Sequence, residues 1–322
     1  MQRITIVGLD NIGASMGLAL KRWIGEAQKA DPNGALEVVG FDYDVARQRA
    51  AERVHAVDRT QWSLSKAVQD ASLVVLALPA NETREVMREL GALLSDDAIV
   101  TDTAPHKQQC LRWAAELLPR VQFVGGFPIV PTAPEAPTAD AFAGATYALF
   151  PQPDGDQESA QVVVGLVQAL GAEPFFPDPA EHDALYAAAG ILPALAATAM
   201  MHTVAFGGGW KDMAKMGGGD LAAATALVGL DPARLVHDVG LSPAEAERWL
   251  DGYIFRLTEL RDLVRRRDPE ATEQVQRFIQ DAHIVREVWL HPQRSQTEKP
   301  ERFVVTDHLT RLLLGSRRRR GR

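Results

Sequence analysis

The stretch that most constrains this chain is "ITIVGLDNIGASMGLALKR", residues 4–22, in which a strand-like apolar run meets a glycine-rich turn and then a helical pattern. A G-x-G-x-x-G turn in that setting opens a βαβ unit and points helix N-terminal amides at the pyrophosphate of a dinucleotide. Gly8 supplies the tight turn and Gly13 the close helix packing, with Ile12 beside it, but Asp10 stands where the middle glycine belongs. A carboxylate there crowds the phosphates and repels them. Two unit charges about 4 Å apart cost about 4 kcal/mol at an effective dielectric near 20. The backbone amides and the helix dipole stay available if the Asp10 side chain turns outward.

The pattern recurs through the first half. Residues 36–42, 73–79, 98–103, 122–128 and 146–152 read as strands, with amphipathic stretches such as "VARQRAAERV" and "TREVMREL" between them. Near-continuous Val, Ile and Leu predicts burial on both faces, hence a doubly wound, largely parallel α/β sheet closed by a last strand near 173–178. The second strand ends in "GFDYD", and Asp42 sits where a carboxylate holds a ribose 2'-hydroxyl and repels a 2'-phosphate. NAD is therefore favoured over NADP, although Arg47 and Arg49 lie within reach of a 2'-phosphate. Asp44 reads better as the cap of the helix that follows. Leu78 and Pro79, at the end of the third long strand, and Asp102, near the end of the next, complete the expected cofactor-binding set.

From Pro179 the texture changes to long alanine-rich helices, interrupted by "GGGWKDMAKMGGGD". Ser242, Pro243 and Glu245 form a helix start with a cap and a first-turn proline. The expected organisation is a dinucleotide-binding domain over 1–178 and an all-α domain over 179–290. A tail over 291–322 should be partly disordered, with a weak strand-like piece, "RFVVTDHL", and an Arg-rich end. The first long helix is too apolar all round for one small domain to bury, which predicts packing against a second copy.

Composition narrows the function. A chain of 322 residues that is 46% hydrophobic and carries a net charge of -8 is globular, and that charge argues against nucleic acid as the main partner. The single cysteine, Cys110, forms no disulfide and reads as a small buried hydrophobe. No His and acid pattern has metal-ligand spacing, so no metal is expected. The N-terminus runs straight into a strand, and no later segment holds eighteen consecutive apolar residues, so a soluble cytoplasmic protein away from membranes is expected.

Several segments in order, "ITIVGLDNIGASMGLALKR", "VVGFDYDVARQRA", "ASLVVLALPANETREVMREL", "IVTDTAPHK", "FVGGFP", "GATYALFPQPD" and "DPAEHDALYAAAGILPALAATAM", resemble the prephenate and arogenate dehydrogenases of tyrosine biosynthesis. The resemblance covers most of residues 3–290. It implies a Rossmann domain followed by a helical dimerisation domain, and NAD(P)-dependent oxidation of a cyclohexadienol with loss of carbon dioxide. It also exposes three departures. The family's Gly-Gly-His-Pro motif is "GGFP" here, with Phe127 in place of the histidine that contacts the substrate hydroxyl. Its Asp-x-Gly-Ser-x-Lys loop is "DTAPHK", which keeps Asp102 and Lys107 and puts Pro105 at the serine. Its Gly-Gly-Phe-Arg-Asp segment aligns best with "GGGD", leaving Gly219 where the substrate-binding arginine would stand.

A phenyl ring neither accepts a proton nor donates a hydrogen bond, and groups of the kind replaced are each commonly worth a factor of a hundred or more. Replacement chemistry has three candidates: His106 and Lys107 in the loop after the fourth long strand, and His182 in "EHD", which matches the family's Glu-His-Asp. An exposed loop position is the plainer reading of His106, whereas for His182 a polar helix start and a place facing the active site weigh evenly. Lys211 and Lys215, one helical turn apart, either face an anionic substrate or form a solvated face. His202, on an apolar helix, reads as a satisfied core histidine.

Two readings of different class stay open. One is a prephenate-dehydrogenase-like oxidoreductase acting on a small cyclic or hydroxy-acid substrate other than prephenate. The other is a dinucleotide- or ligand-binding homolog without turnover, with a regulatory or scaffold role. Prephenate oxidation by a rearranged site is a third.

Overall fold

The computed structural model describes residues 2–30, 36–130, 135–152, 155–229 and 231–291; the tail with "RFVVTDHL" and the arginine run lies outside the described residues. The chain forms two compact units, one reaching Ser242 and the other beginning at Pro243.

The first unit is built on an eight-stranded sheet: β1 (Gln2–Val7), β2 (Leu36–Phe41), β3 (Arg59–Thr60), β4 (Leu73–Leu76), β5 (Ile99–Asp102), β6 (Gln122–Ile129), β7 (Thr146–Pro151) and β8 (Glu173–Phe175). Their order is β3-β2-β1-β4-β5-β6-β7-β8, and every neighbouring pair is parallel except β6 and β7. The expected doubly wound α/β sheet is therefore present. β2, β4 and β5 are buried along their whole length, as apolar strands covered on both faces must be. The two-residue edge strand β3 is too short to show a period and was not expected.

Helices cover both faces: α1 (Asn11–Ala30), α2 (Val45–Arg53), α3 (Leu64–Val68), α4 (Ala80–Leu93), α5 (Lys107–Leu117) and α6 (Gln157–Ala169). One apolar core lies on the α1 and α6 side, around Ile4, Ile6, Met16, Leu20 and Leu166. The other lies on the α4 and α5 side, around Val74, Met87, Leu90, Cys110 and Trp113. Cys110 is fully buried, and burial pushes its thiol well up, as a small hydrophobe in a core requires.

After β8 the chain is entirely helical where described. α7 (Pro179–Tyr186) passes through a π-helical turn over Ala187–Ile191 into α8 (Leu192–Phe206), and α9 (Trp210–Met216), α10 (Gly219–Ala224) and α11 (Pro232–Leu241) follow. Pro193 lies at the start of α8 and gives its turn no backbone N–H, which is where a helix widens. The first compact unit runs past the expected 178/179 boundary because α7 and α11 are tied to the sheet's carboxyl edge by side-chain bonds to α5 and the residue before it.

Pro179–Phe206 is, among the described residues, one helix long and apolar enough to cross a membrane by length and composition, and 22% of its most apolar window is buried within the chain. His202 is exposed on it rather than in a core, resting against Phe206, because this chain leaves the outer face of α8 uncovered. The second unit holds α12 (Pro243–Arg266), which starts at the expected proline, and α13 (Pro269–Leu290), capped by Asp268.

Candidate functional site

The glycine turn has the shape a dinucleotide needs. Gly8 has φ +96°, and a side chain there would meet the Ala77 carbonyl and Leu78. A Cβ on Gly13 would stand 1.9 Å from the Gly8 carbonyl oxygen, so the helix start presses directly on the turn. Leu78 is buried beside the loop, and Pro79 precedes α4. Asp42 crosslinks the loop from β2, its carboxylate accepting from Leu9 N at 2.8 Å and Asp44 N at 2.8 Å. Asp44 caps α2 by accepting from Ala46 N, as expected.

Asp10 does not point away. Its Oδ1 accepts from Ile12 N at 2.9 Å and from Gly13 N at 3.0 Å, so the carboxylate sits on the helix N-terminal amides that a pyrophosphate would use. The surroundings are acidic as well. Burial holds the Glu82 carboxyl above the usual carboxylate range; Arg47 opposes this, and Asp42, Asp10 and Asp231 add to it. Arg47 also stands 3.8 Å from Asp42 and 3.9 Å from Asp44. The cradle thus fits a dinucleotide in its glycines, amides and Asp42. Its one misfit is Asp10, which must leave the amides for phosphates to take them. A bound nicotinamide dinucleotide would supply hydride acceptance, which no protein side chain provides.

At the end of β5, Asp102 forms a fully buried ion pair with Lys107, the first residue of α5. Lys107 Nζ donates to Asp102 Oδ1 at 2.7 Å, Asp102 Oδ2 at 2.8 Å and the Gly126 carbonyl at 2.7 Å, while Gly126 N donates to Asp102 Oδ1 at 2.9 Å. All three ammonium protons are used. Lys107 therefore braces the two strand ends and has no donor left for a substrate, and Asp102 faces the protein interior rather than the cofactor loop. Asp183 caps α5, accepting from Lys107 N at 2.7 Å and Gln108 N at 3.0 Å.

His106 is buried, not exposed in a loop. Its Nε2 lies 3.1 Å from Asp238 Oδ1 and its Nδ1 3.3 Å from Ser242 Oγ. Asp238 is itself buried on α11 and accepts from the Tyr186 hydroxyl at 3.4 Å, with Arg234 Nε at 3.8 Å. His182, also buried, keeps Nδ1 3.3 Å from Asp183 Oδ1.

Phe127 brings these groups to one place: its ring meets His182 edge-on at 5.2 Å and Tyr186 at 5.6 Å, and Tyr186 meets His106 at 5.4 Å. Burial, with Asp238 adding, pushes the Tyr186 phenol up to about 12. The structure thus gathers His106, His182 and Phe127 around Tyr186, Arg234 and Asp238, which the sequence did not single out, and around Asp183 and Ser242, which it marked only as part of "EHD" and as a helix cap. The available signal for Asp238 was an acid set among apolar residues in "RLVHDVGL". Pro105 precedes His106 and offers no hydroxyl. Gly219 begins α10 in open space, and Lys211 and Lys215 are exposed on α9, Lys215 paired with Asp212. Among the described residues no group of His, Cys, Asp and Glu has the arrangement of a metal site.

A mostly parallel sheet with its glycine turn and side-chain cluster at the strand ends defines a dinucleotide-binding α/β domain, here followed by helices. Comparison makes the class specific. Residues 27–175 match the family model described as prephenate dehydrogenase, nucleotide-binding domain. The chain is 26% identical over 204 residues to the prephenate dehydrogenase of Bacillus subtilis, and 28% identical over 189 residues to that of Lactococcus lactis. These alignments cover 62% and 57% of this chain and 53% and 48% of those proteins, so the chain spans about half the length of the curated relatives it matches. A crystal structure of the A. aeolicus prephenate dehydrogenase, in complex with hydroxyphenyl propionate and NAD+, superposes with a TM-score of 0.75 at 24% identity, over 89% of this chain and 97% of that one. The family model, the curated relatives and the solved structures all indicate the prephenate and arogenate dehydrogenase family.

Proposed function

We propose that this protein is a prephenate-dehydrogenase-like oxidoreductase that uses NAD to oxidise a small cyclic or hydroxy-acid substrate other than prephenate. The observation that carries this reading is Phe127 in the second half of β6, enclosed by His182 and Tyr186. The substrate cleft keeps polar side chains while its strand-end group is a phenyl ring. His182, His106 and Lys107 remain its acid–base and bracing residues: His182 beside the ring, His106 behind Tyr186, and Lys107 locking Asp102 beneath them. Asp42 beside the ribose position supports NAD, and the uncovered apolar face of α8 supports a homodimer through the helical region of a soluble, cytoplasmic protein.

A second reading, a binding homolog without turnover, is favoured by Asp10 on the phosphate-binding amides. Purified protein should be titrated calorimetrically with NAD and NADP, then with hydroxyphenyl propionate, and assayed for NADH with prephenate, arogenate and a panel of hydroxy acids. NADH from a panel member, with little from prephenate, supports the first reading. Cofactor binding with no NADH from any compound supports the second. Efficient prephenate oxidation that Phe127→His leaves unimproved shows a rearranged site for the family's own substrate.

A further inference from the structure

Asp238 is a buried carboxylate whose position calls for an explanation. It lies inside α11 and so caps no helix start, and Arg234 stands 3.8 Å away with a side chain 44% exposed. A buried charge so loosely paired costs stability unless hydrogen bonds hold it. Those bonds form a continuous path: the Tyr186 hydroxyl to Asp238 Oδ2, Asp238 Oδ1 to His106 Nε2, and His106 Nδ1 to the partly exposed Ser242 Oγ. The inner end of this path lies against Phe127. Two backbone features place it there. Tyr186 immediately precedes the π-helical turn, a distortion that recurs at functional sites, and a Cβ on Gly190 would stand 2.6 Å from the Tyr186 ring, so only glycine lets the phenol lie back along the helix.

Resting on the oxidoreductase reading, we propose that Tyr186 is the group that touches the substrate hydroxyl, and that Asp238 and His106 position it and receive the proton released there. With a bound nicotinamide to supply hydride acceptance at the carbinol C–H, the substrate O–H would break and its electron pair would close the C=O bond. That proton goes to the Tyr186 oxygen, and the phenol's own proton goes to Asp238 Oδ2. The Asp238–His106 pair thereby gains one proton, which leaves to water past Ser242.

Burial and Asp238 keep the phenol protonated at neutral pH, so it passes its proton on rather than acting as a standing phenolate. The charged and titratable groups facing it are Arg234 and Asp238 from α11, His106 before α5, and His182 with Asp183 from α7. His182 also flanks Phe127, but the carboxylate beside it is committed to the amides of Lys107 and Gln108. A proton on His182 has no comparable onward path among the described residues.

The test compares hydroxyphenyl propionate with phenyl propionate, which lacks the hydroxyl, by calorimetry on NAD-loaded wild type, Tyr186→Phe and His182→Asn. One net hydrogen bond is worth about a factor of ten. Wild type should prefer the hydroxylated ligand by about that factor, Tyr186→Phe should lose the preference, and His182→Asn should keep it. The proposal is overturned if the preference survives Tyr186→Phe, or if wild type binds both ligands equally. Wild type that binds neither ligand overturns the underlying reading, and this proposal with it.

A second measurement isolates the positioning role. The near-ultraviolet ionisation step that Tyr186→Phe removes should move to lower pH in Asp238→Asn, because a neighbouring negative charge has gone. No movement removes Asp238 from the path. If Asp238→Asn does not fold, His106→Gln replaces it, and an unchanged hydroxyl preference in that variant counts against the path equally.

Discussion

Replacing Asp10 tests the cofactor site most directly, because its carboxylate already occupies two amides at the start of α1. A pyrophosphate arriving there meets a like charge and must also displace the cap. At about 4 Å the repulsion ranges from about 1 kcal/mol at the dielectric of water to about 4 kcal/mol at an effective dielectric near 20. Asp10 is exposed, so solvent screening places the value toward the lower part of that range, about 2 kcal/mol. At 1.4 kcal/mol per tenfold this is roughly a thirtyfold change in dissociation constant.

Asp10→Asn removes the charge and keeps a capping oxygen; Asp10→Gly removes both. Calorimetric titration with NAD should therefore give tighter binding in both variants, Gly at least as tight as Asn, with a stability loss of a few tenths of a kcal/mol for Gly. Equal dissociation constants in wild type and both variants, within a factor of three, would refute the reasoning, since the carboxylate would then make no difference to the phosphates. Weaker binding in both would mean that Asp10 helps to hold the cofactor.

Two further outcomes follow from the structure. Lys107→Met leaves Asp102 buried without its cation, a change that costs about 3–5 kcal/mol; the midpoint of denaturant unfolding should fall accordingly, and a loss under about 1 kcal/mol would show that the pair does not brace the strand ends. Burial holds the His237 imidazole below its ordinary value, Asp238 opposing and His106 adding, so between the folded value and the unfolded value of about 6.5 the unfolded chain binds more protons. Its contribution to stability is present above about pH 6.5 and is lost as pH falls through the folded value; thermal unfolding of His237→Asn against wild type from neutral to mildly acid pH should give the shallower slope for the variant.

The sheet was legible because its information is local. Gly8, Gly13, Asp42 and the apolar runs of β1, β2, β4 and β5 report a strand, a turn and two-sided burial through spacing alone, and Asp44 and Pro243 mark helix starts in the same way. A lysine five residues after an aspartate also looks the same in sequence whether it is buried or solvated. Asp102 and Lys107 were therefore named, but their buried pairing was not.

The substituted positions Pro105 and Phe127 were likewise visible as departures from a motif. What replaced them could not be read, because His106 meets Asp238 across 132 positions of sequence and Ser242 across 136. Such contacts depend on where α7 and α11 come to rest against the strand ends, and helix periodicity fixes which residues share a face without fixing what that face meets. The side chain of Asp10 makes the same point at short range. The sequence alone determined that a carboxylate stands in the glycine turn, and the folded helix start decided that it binds the Ile12 and Gly13 amides while staying exposed, because unpaired N-terminal N–H groups draw the nearest acceptor.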